Sequence, residues 1–166
     1  AVLNLRKTTS IDVGFVNGNP IHVDWVRTEA DIKILGVRFA NSIRRMISLN
    51  WDALVGNVAR QIWLHSLRTL TLYQKVTLLN TFITSKVWYL ASILPLYNIH
   101  TAKITAVMGT FLWRRQPARV PMQQLARPRD QGGLKLHLPA FKAKALMINR
   151  HTQEIGSIPF YQSFIT

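Results

Sequence analysis

Between Asp52 and Asp130 the chain has no aspartate or glutamate, yet Arg60, Arg68, Lys75, Lys86, Lys103, Arg114, Arg115, Arg119, Arg127 and Arg129 all fall in that span. A folded surface normally mixes both signs, so a stretch this long with one sign is suited to meeting a polyanion. The chemistry open to such residues is phosphate binding. Metal-assisted nucleic-acid chemistry needs carboxylates to hold its ions, and this half of the chain has none. The five histidines, His22, His65, His100, His137 and His151, form no i, i+4 pair and no tight cluster with acids, which argues against a metal centre. Ser85 and Ser92 lack a neighbouring His or acid to activate them, so a hydrolase reading has no support. No catalytic residue and no metal ligand is assigned.

Composition narrows the class further. The 166 residues carry a net charge of +14, but 48% are hydrophobic, including five Trp and seven Phe. That excludes a disordered basic tail, whose signature is few aromatics and high charge. Cysteine is absent, which removes disulfides and cysteine-bearing zinc sites and suits a reducing, intracellular setting, nuclear or cytoplasmic. The most apolar run, Val87 to Tyr97, contains Pro95 and is too short for a span of about 20 residues, so no membrane partner is expected. Ala1 is not an initiator Met, and the final residues trail off apolar without a cap. Both ends read as cut from something longer.

The elements that must position these cations change character along the chain. Residues 1–39 read as β-rich: Ile21, Val23 and Trp25 alternate with His22 and Asp24, and the run from Ile32 to Phe39 alternates again, after a turn signal at Asn17-Gly18-Asn19-Pro20. A short antiparallel arrangement is the natural reading. From Asn50 the period becomes helical. Asn50 is the expected cap, Asp52 lies in the first turn, and Leu54, Val58 and Ile62, with Val55 and Trp63 beside them, form the apolar stripe. Thr71-Leu72-Tyr73-Gln74 reads as a capping box opening a helix that Pro95 ends at about Leu94. Thr101 is the expected cap of a third helix, with Ile104, Val107, Met108, Phe111 and Leu112 on one face. Residues 116–139, rich in Pro and Gly, read as an ordered but irregular basic connector, and Phe141 to Arg150 resumes helical spacing.

Several stretches, in order, resemble the reverse transcriptases of non-LTR (LINE-type) retrotransposons. They are Leu3-Asn4-Leu5-Arg6-Lys7-Thr8, Ile32-Lys33-Ile34-Leu35-Gly36-Val37, Leu70-Thr71-Leu72-Tyr73-Gln74-Lys75-Val76, Ser85-Lys86-Val87-Trp88-Tyr89, Phe111-Leu112-Trp113-Arg114-Arg115 and Gly132-Gly133-Leu134-Lys135-Leu136. Each is weak alone; their order and spacing, from Leu3 to about Arg150, carry the resemblance. It implies an α+β fold: a small antiparallel β remnant of a polymerase palm with primer-grip-like strands over 1–45, a helical thumb over 46–115, and a basic Pro/Gly-containing linker with a partial C-terminal helix over 116–166.

The family's catalytic step uses an early palm Asp and a later Asp pair, whereas this chain has no Asp-Asp and begins just downstream of where that pair would sit. The resemblance therefore implies part of an RNA-directed DNA polymerase, inactive alone, whose partners are an RNA template and a DNA primer. Mg is expected only in the parent enzyme, with no cofactor in this chain. The competing reading is a self-contained basic nucleic-acid-binding module.

Within that frame the candidate contacts are specific. By resemblance, Lys7 lies near the incoming nucleotide's phosphates, where it could offset charge on the leaving pyrophosphate; otherwise it is a solvated lysine at a turn. Lys33, Leu35 and Gly36 match the primer grip, where a glycine lets backbone approach a sugar; otherwise Gly36 merely ends a strand. Arg60, Arg68, Lys75 and Lys86 are expected on helices whose other face is apolar, and Arg114, Arg115, Arg119 and Arg127 extend the basic surface. Trp51, Trp63, Trp88 and Trp113 could stack on bases, but each sits in or beside an apolar stripe, so core packing is expected.

Overall fold

The computed structural model describes residues 8–11, 27–28, 30–114 and 116–156. The chain divides into two compact units, Ala1–Ala53 and Leu54–Thr166. The predicted boundary at 115/116 falls within the second. Lys7, Arg115, Ile21, Val23, Trp25 and the Asn17–Pro20 turn signal lie outside the described residues.

In the first unit, β1 (Thr9–Ser10) pairs with β2 (Arg27–Thr28), and β3 (Asp31–Ile34) with β4 (Val37–Ala40). The expected antiparallel arrangement holds for β3 and β4, in a register that sets Asp31 opposite Ala40 and Lys33 opposite Arg38. It fails for β1 and β2, which pair in parallel. The alternation read through Ile32–Phe39 is split by a turn. Leu35 and Gly36 both have positive φ, 49° and 87°, the geometry that matches a two-residue hairpin to strand twist. A Cβ on Gly36 would touch nothing within 4 Å, so the dihedral rather than crowding selects glycine there.

Helix α1 (Ile43–Ser66) starts earlier than Asn50, which sits inside it. The amide of Asn50 has a different task. Its Oδ1 accepts from the Arg38 N–H at 2.9 Å, and its Nδ2 donates to the carbonyls of Arg38 at 2.6 Å and Met46 at 2.7 Å. A side chain well suited to capping is thus spent on tying β4 to the helix, where it is nearly buried beside the fully buried Trp51. Asp52 is not in a first turn; its carboxylate accepts from Ser48 Oγ at 2.9 Å.

In the second unit the capping box at Thr71 is present. Thr71 Oγ1 accepts from the Gln74 N–H at 3.3 Å and Gln74 Oε1 from the Thr71 N–H at 3.0 Å, opening α2 (Leu72–Leu78). The helix then widens into a π turn, Leu79–Ile83, before α3 (Ser85–Ala91). Buried Thr84 closes the wide turn, donating both its N–H and its Oγ1 to the Leu79 carbonyl. Helical structure ends at Ala91 rather than Leu94, because the residue before Pro95 is biased away from helical dihedrals.

Helix α4 (Asn98–Trp113) starts ahead of Thr101, whose hydroxyl donates back to the Tyr97 carbonyl at 3.1 Å instead of capping. Ile104, Met108, Phe111 and Leu112 are buried as the stripe requires, with Val58, Ile62, Val87 and Leu90 also in the core of this unit. The basic connector is less irregular than its composition suggests, holding α5 (Met122–Ala126) and a 3-10 turn, Arg129–Gln131. Leu134 and Leu136 N–H groups both donate to the Leu125 carbonyl, folding the segment back on itself. Gly133 is indispensable to that fold, since any Cβ there would collide with the Arg127 carbonyl. Helix α6 (Pro139–Gly156) packs on α3 and α4. Among the described residues no helix is long and apolar enough to cross a membrane.

Candidate nucleic-acid interface

The exposed cations are positioned by different parts of the second unit. Arg60 projects from α1 and Lys86 from α3, both exposed. Arg68 lies beyond the end of α1, its N–H closing onto the His65 carbonyl at 3.2 Å, so Arg60 and Arg68 do not share a helix as the sequence suggested. Arg114, Arg119 and Arg127 are exposed on the connector side. Among the described residues none of these six has a carboxylate partner. In the first unit, Lys33 is exposed on β3, and Leu35 is 86% exposed at the hairpin tip.

Lys75 is different. It is buried, and its ammonium donates to the Leu112 carbonyl at 2.8 Å, closing the C-terminal end of α4, while lying 5.7 Å from the Phe111 ring centroid. Burial, and then repulsion from Arg114, holds its pKa below the usual lysine value. A cation held there is electrostatically uncomfortable and has little of water's screening.

The fold brings together residues far apart in sequence. Arg68 and Arg114 line one cleft of about 540 Å³ with Trp63 and Phe111. Arg114 also lines a second, of about 340 Å³, with Lys75, Trp113 and Arg119. Arg114 is therefore common to two basic clefts. Arg127 lies apart in a third, of about 580 Å³, with His137, Phe141 and Lys142. Arg60 and Lys86 line none of the three.

Trp63 overturns its expected burial. It is 59% exposed at the first cleft, whereas Trp51 is fully buried. Its neighbour Ile62 occupies the buried stripe, and one residue further along a helix turns by roughly 100°, which takes Trp63 out of that stripe. An exposed indole beside two arginines can stack on a base or sugar face.

A grouping that sequence reasoning did not anticipate also forms, bringing Lys142 and Asn80 to His137 and Trp88. His137 Nδ1 lies 3.0 Å from Lys142 Nζ, the same ammonium sits 5.0 Å from the Trp88 ring centroid, and Trp88 meets the His137 ring edge-on. With Lys142 charged, Nδ1 must accept, which leaves the imidazole proton on Nε2. Burial and then Lys142 hold His137 below its usual pKa, and burial lowers Lys142. Asn80, in the π turn, fixes this segment by donating to the Lys135 carbonyl at 2.9 Å and accepting from the His137 N–H at 3.0 Å. Nothing local in the sequence marks this grouping, because its members come from three separate elements.

Among the described residues no three His, Cys, Asp or Glu side chains lie together as a metal would require. What the arrangement can do is hold phosphates with exposed guanidinium and ammonium groups and offer aromatic faces between them. No family model matches this chain, and no characterised protein or solved structure shows significant similarity to it.

Proposed function

We propose that this chain grips a primer–template hybrid by its phosphates, as the thumb-side part of a non-LTR retrotransposon reverse transcriptase. The observation that carries the reading is the set of exposed cations, Arg60, Arg68, Lys86, Arg114, Arg119 and Arg127, in a span with no acid to neutralise them. Phosphate contacts of this kind supply affinity and register without reading sequence. The ordered stretches from Leu3 to Leu136 that resemble the family supply the identity of the partner, an RNA template paired to a DNA primer. The reading is supported by an exposed hairpin tip at Leu35-Gly36 and a capping box at Thr71, at the positions that the resemblance gives to the grip and to the first thumb helix. Phosphoryl transfer itself belongs to paired aspartates that this segment does not supply.

Binding and extension assays on the pure chain test the proposal. The expected result is binding of an RNA–DNA hybrid with a recessed primer end, tighter than binding of single-stranded RNA, with no primer extension in Mg²⁺ or Mn²⁺. Equal binding to both would favour the self-contained basic module. Metal-dependent extension, or no binding at low salt, would contradict the reading.

A further inference from the structure

We propose that the cleft lined by Lys75, Trp113, Arg114, Gln116 and Arg119 is a phosphoryl-anion site, taking a phosphate group either from a nucleic-acid backbone or as a free phosphate. Only the backbone source rests on the nucleic-acid reading above.

Three independent features point to an anion. The first is charge. Lys75 is only 6% exposed and shares the cleft with two arginines, in a span of sequence that contains no carboxylate. Its hydrogen bond to the Leu112 carbonyl uses one of three ammonium donors, and neither that bond nor the Phe111 ring cancels the charge. Burial and the nearby Arg114 both disfavour its charged form, a penalty that a bound anion would relieve. The second feature is an unmatched donor. Trp113 lines the cleft, and its indole Nε1–H is buried without a hydrogen-bond partner among the described residues. The Trp88 indole N–H is likewise unmatched, but only the Trp113 one belongs to a side chain lining this basic cleft, where an anion would supply an acceptor.

The third feature is backbone strain. Arg114 follows the last turn of α4 with φ 50° and ψ 43°, a left-handed conformation that helix ends ordinarily give to glycine. An arginine there costs stability that glycine would not, and strain of this kind clusters at ligand clamps. The arginine side chain is what glycine could not supply. A guanidinium presents a fork of donors matched to phosphate oxygens, and Arg119 provides a second.

Arg114→Gly and Arg119→Gln, made in the whole chain, test the site. Inorganic phosphate is titrated by calorimetry at ionic strength held constant with chloride, and melting temperature is recorded. The wild-type chain is expected to bind phosphate saturably at one site, and each variant to bind about tenfold more weakly, the scale of one charge-assisted hydrogen bond. Arg114→Gly should at the same time raise the melting temperature, because it relieves the left-handed residue. A purely structural Arg114 would not lose phosphate while gaining stability. Non-saturating heats, or unchanged affinity in both variants, would overturn the site.

Binding of a labelled RNA–DNA hybrid then assigns the source. If Arg119→Gln weakens hybrid binding and free phosphate competes with it, the site takes backbone phosphate. If phosphate binding falls while hybrid binding is unchanged, it takes free phosphate. Absence of hybrid binding in the wild-type chain would remove the function proposed above and leave the phosphate titration standing.

Discussion

Cations meet different partners in the two units. In the first, the Asp31 carboxylate accepts from Arg38 Nη1 at 3.1 Å across the hairpin and lies 3.8 Å from Arg45 Nη2. In the second, several described cations bond uncharged oxygens and rings. Lys75 donates to the Leu112 carbonyl, Arg150 to the carbonyls of Ser92 and Ile93 just past α3, and Arg129 to the Tyr73 hydroxyl while stacking 5.0 Å from its ring centroid. Carbonyls at a helix end carry partial negative charge, so these contacts satisfy orphan acceptors and steady the helices. They leave the positive charge in place. A carboxylate cancels charge where it pairs, as Asp31 does in the first unit, whereas a neutral oxygen, as at Lys75, does not.

The sharpest way to break this comparison is to disturb the framework that holds the second unit's charges. Phe111→Ala should cost on the order of 3–5 kcal/mol, because the ring is almost wholly buried in the α4 stripe. Chemical denaturation would show it as a large drop in midpoint. Gly133→Ala should cost on the order of 2–3 kcal/mol through the clash with the Arg127 carbonyl, and proteolysis should then nick the 125–136 segment first.

In the first unit the matching change is Asn50→Ala, which removes three hydrogen bonds and leaves the Arg38 backbone groups to find other partners. A loss of about 1–3 kcal/mol is expected, with faster amide exchange at Arg38 as its local signature. Replacing Arg38 by Gln, by contrast, should change stability by no more than about 1 kcal/mol, since its ion pair with Asp31 is half-exposed. That contrast would show the buried Asn50 bonds between β4 and α1 contributing more than the exposed ion pair across the hairpin.

The smallest effect concerns pH. The lowered pKa of His137 means that the folded protein resists protonation that the unfolded chain accepts near 6.5. Stability should therefore fall as pH drops through 6.5 toward the folded value, and the loss should be complete below it. His137→Gln should shrink that fall in melting temperature between pH 7.5 and 5.

What could be read from sequence was local. The Thr71–Gln74 capping box is written in four adjacent residues, and the buried face of α4 in one helical period, so both were legible. The start of α1 was not, because Asn50 is as good a cap as it is a tertiary ligand, and only the fold reveals which task it performs. Trp63 was misplaced because the stripe beside it is genuine and the indole falls just outside it. The turn at Leu35-Gly36 was hidden because leucine seldom takes a positive φ. The candidate interface was legible as a charge pattern but not as a set of clefts. Arg68 and Arg114 meet at one cleft only through the packing of the second unit, and Lys75 counted as a surface cation until its carbonyl partner was visible.

The central claim is that the acid-free span holds phosphates. It is tested most directly by the salt dependence of binding to DNA duplexes of two unrelated sequences, for the wild-type chain and for Arg60→Gln/Arg68→Gln. Each phosphate contact should contribute a slope of roughly −0.9 in log K against log salt, giving a steep, sequence-independent fall in affinity. The double variant should flatten that slope by up to about two units while its stability shifts by no more than about half a kcal/mol. A flat salt dependence in the wild-type chain, or a strong preference for one sequence, would contradict the claim.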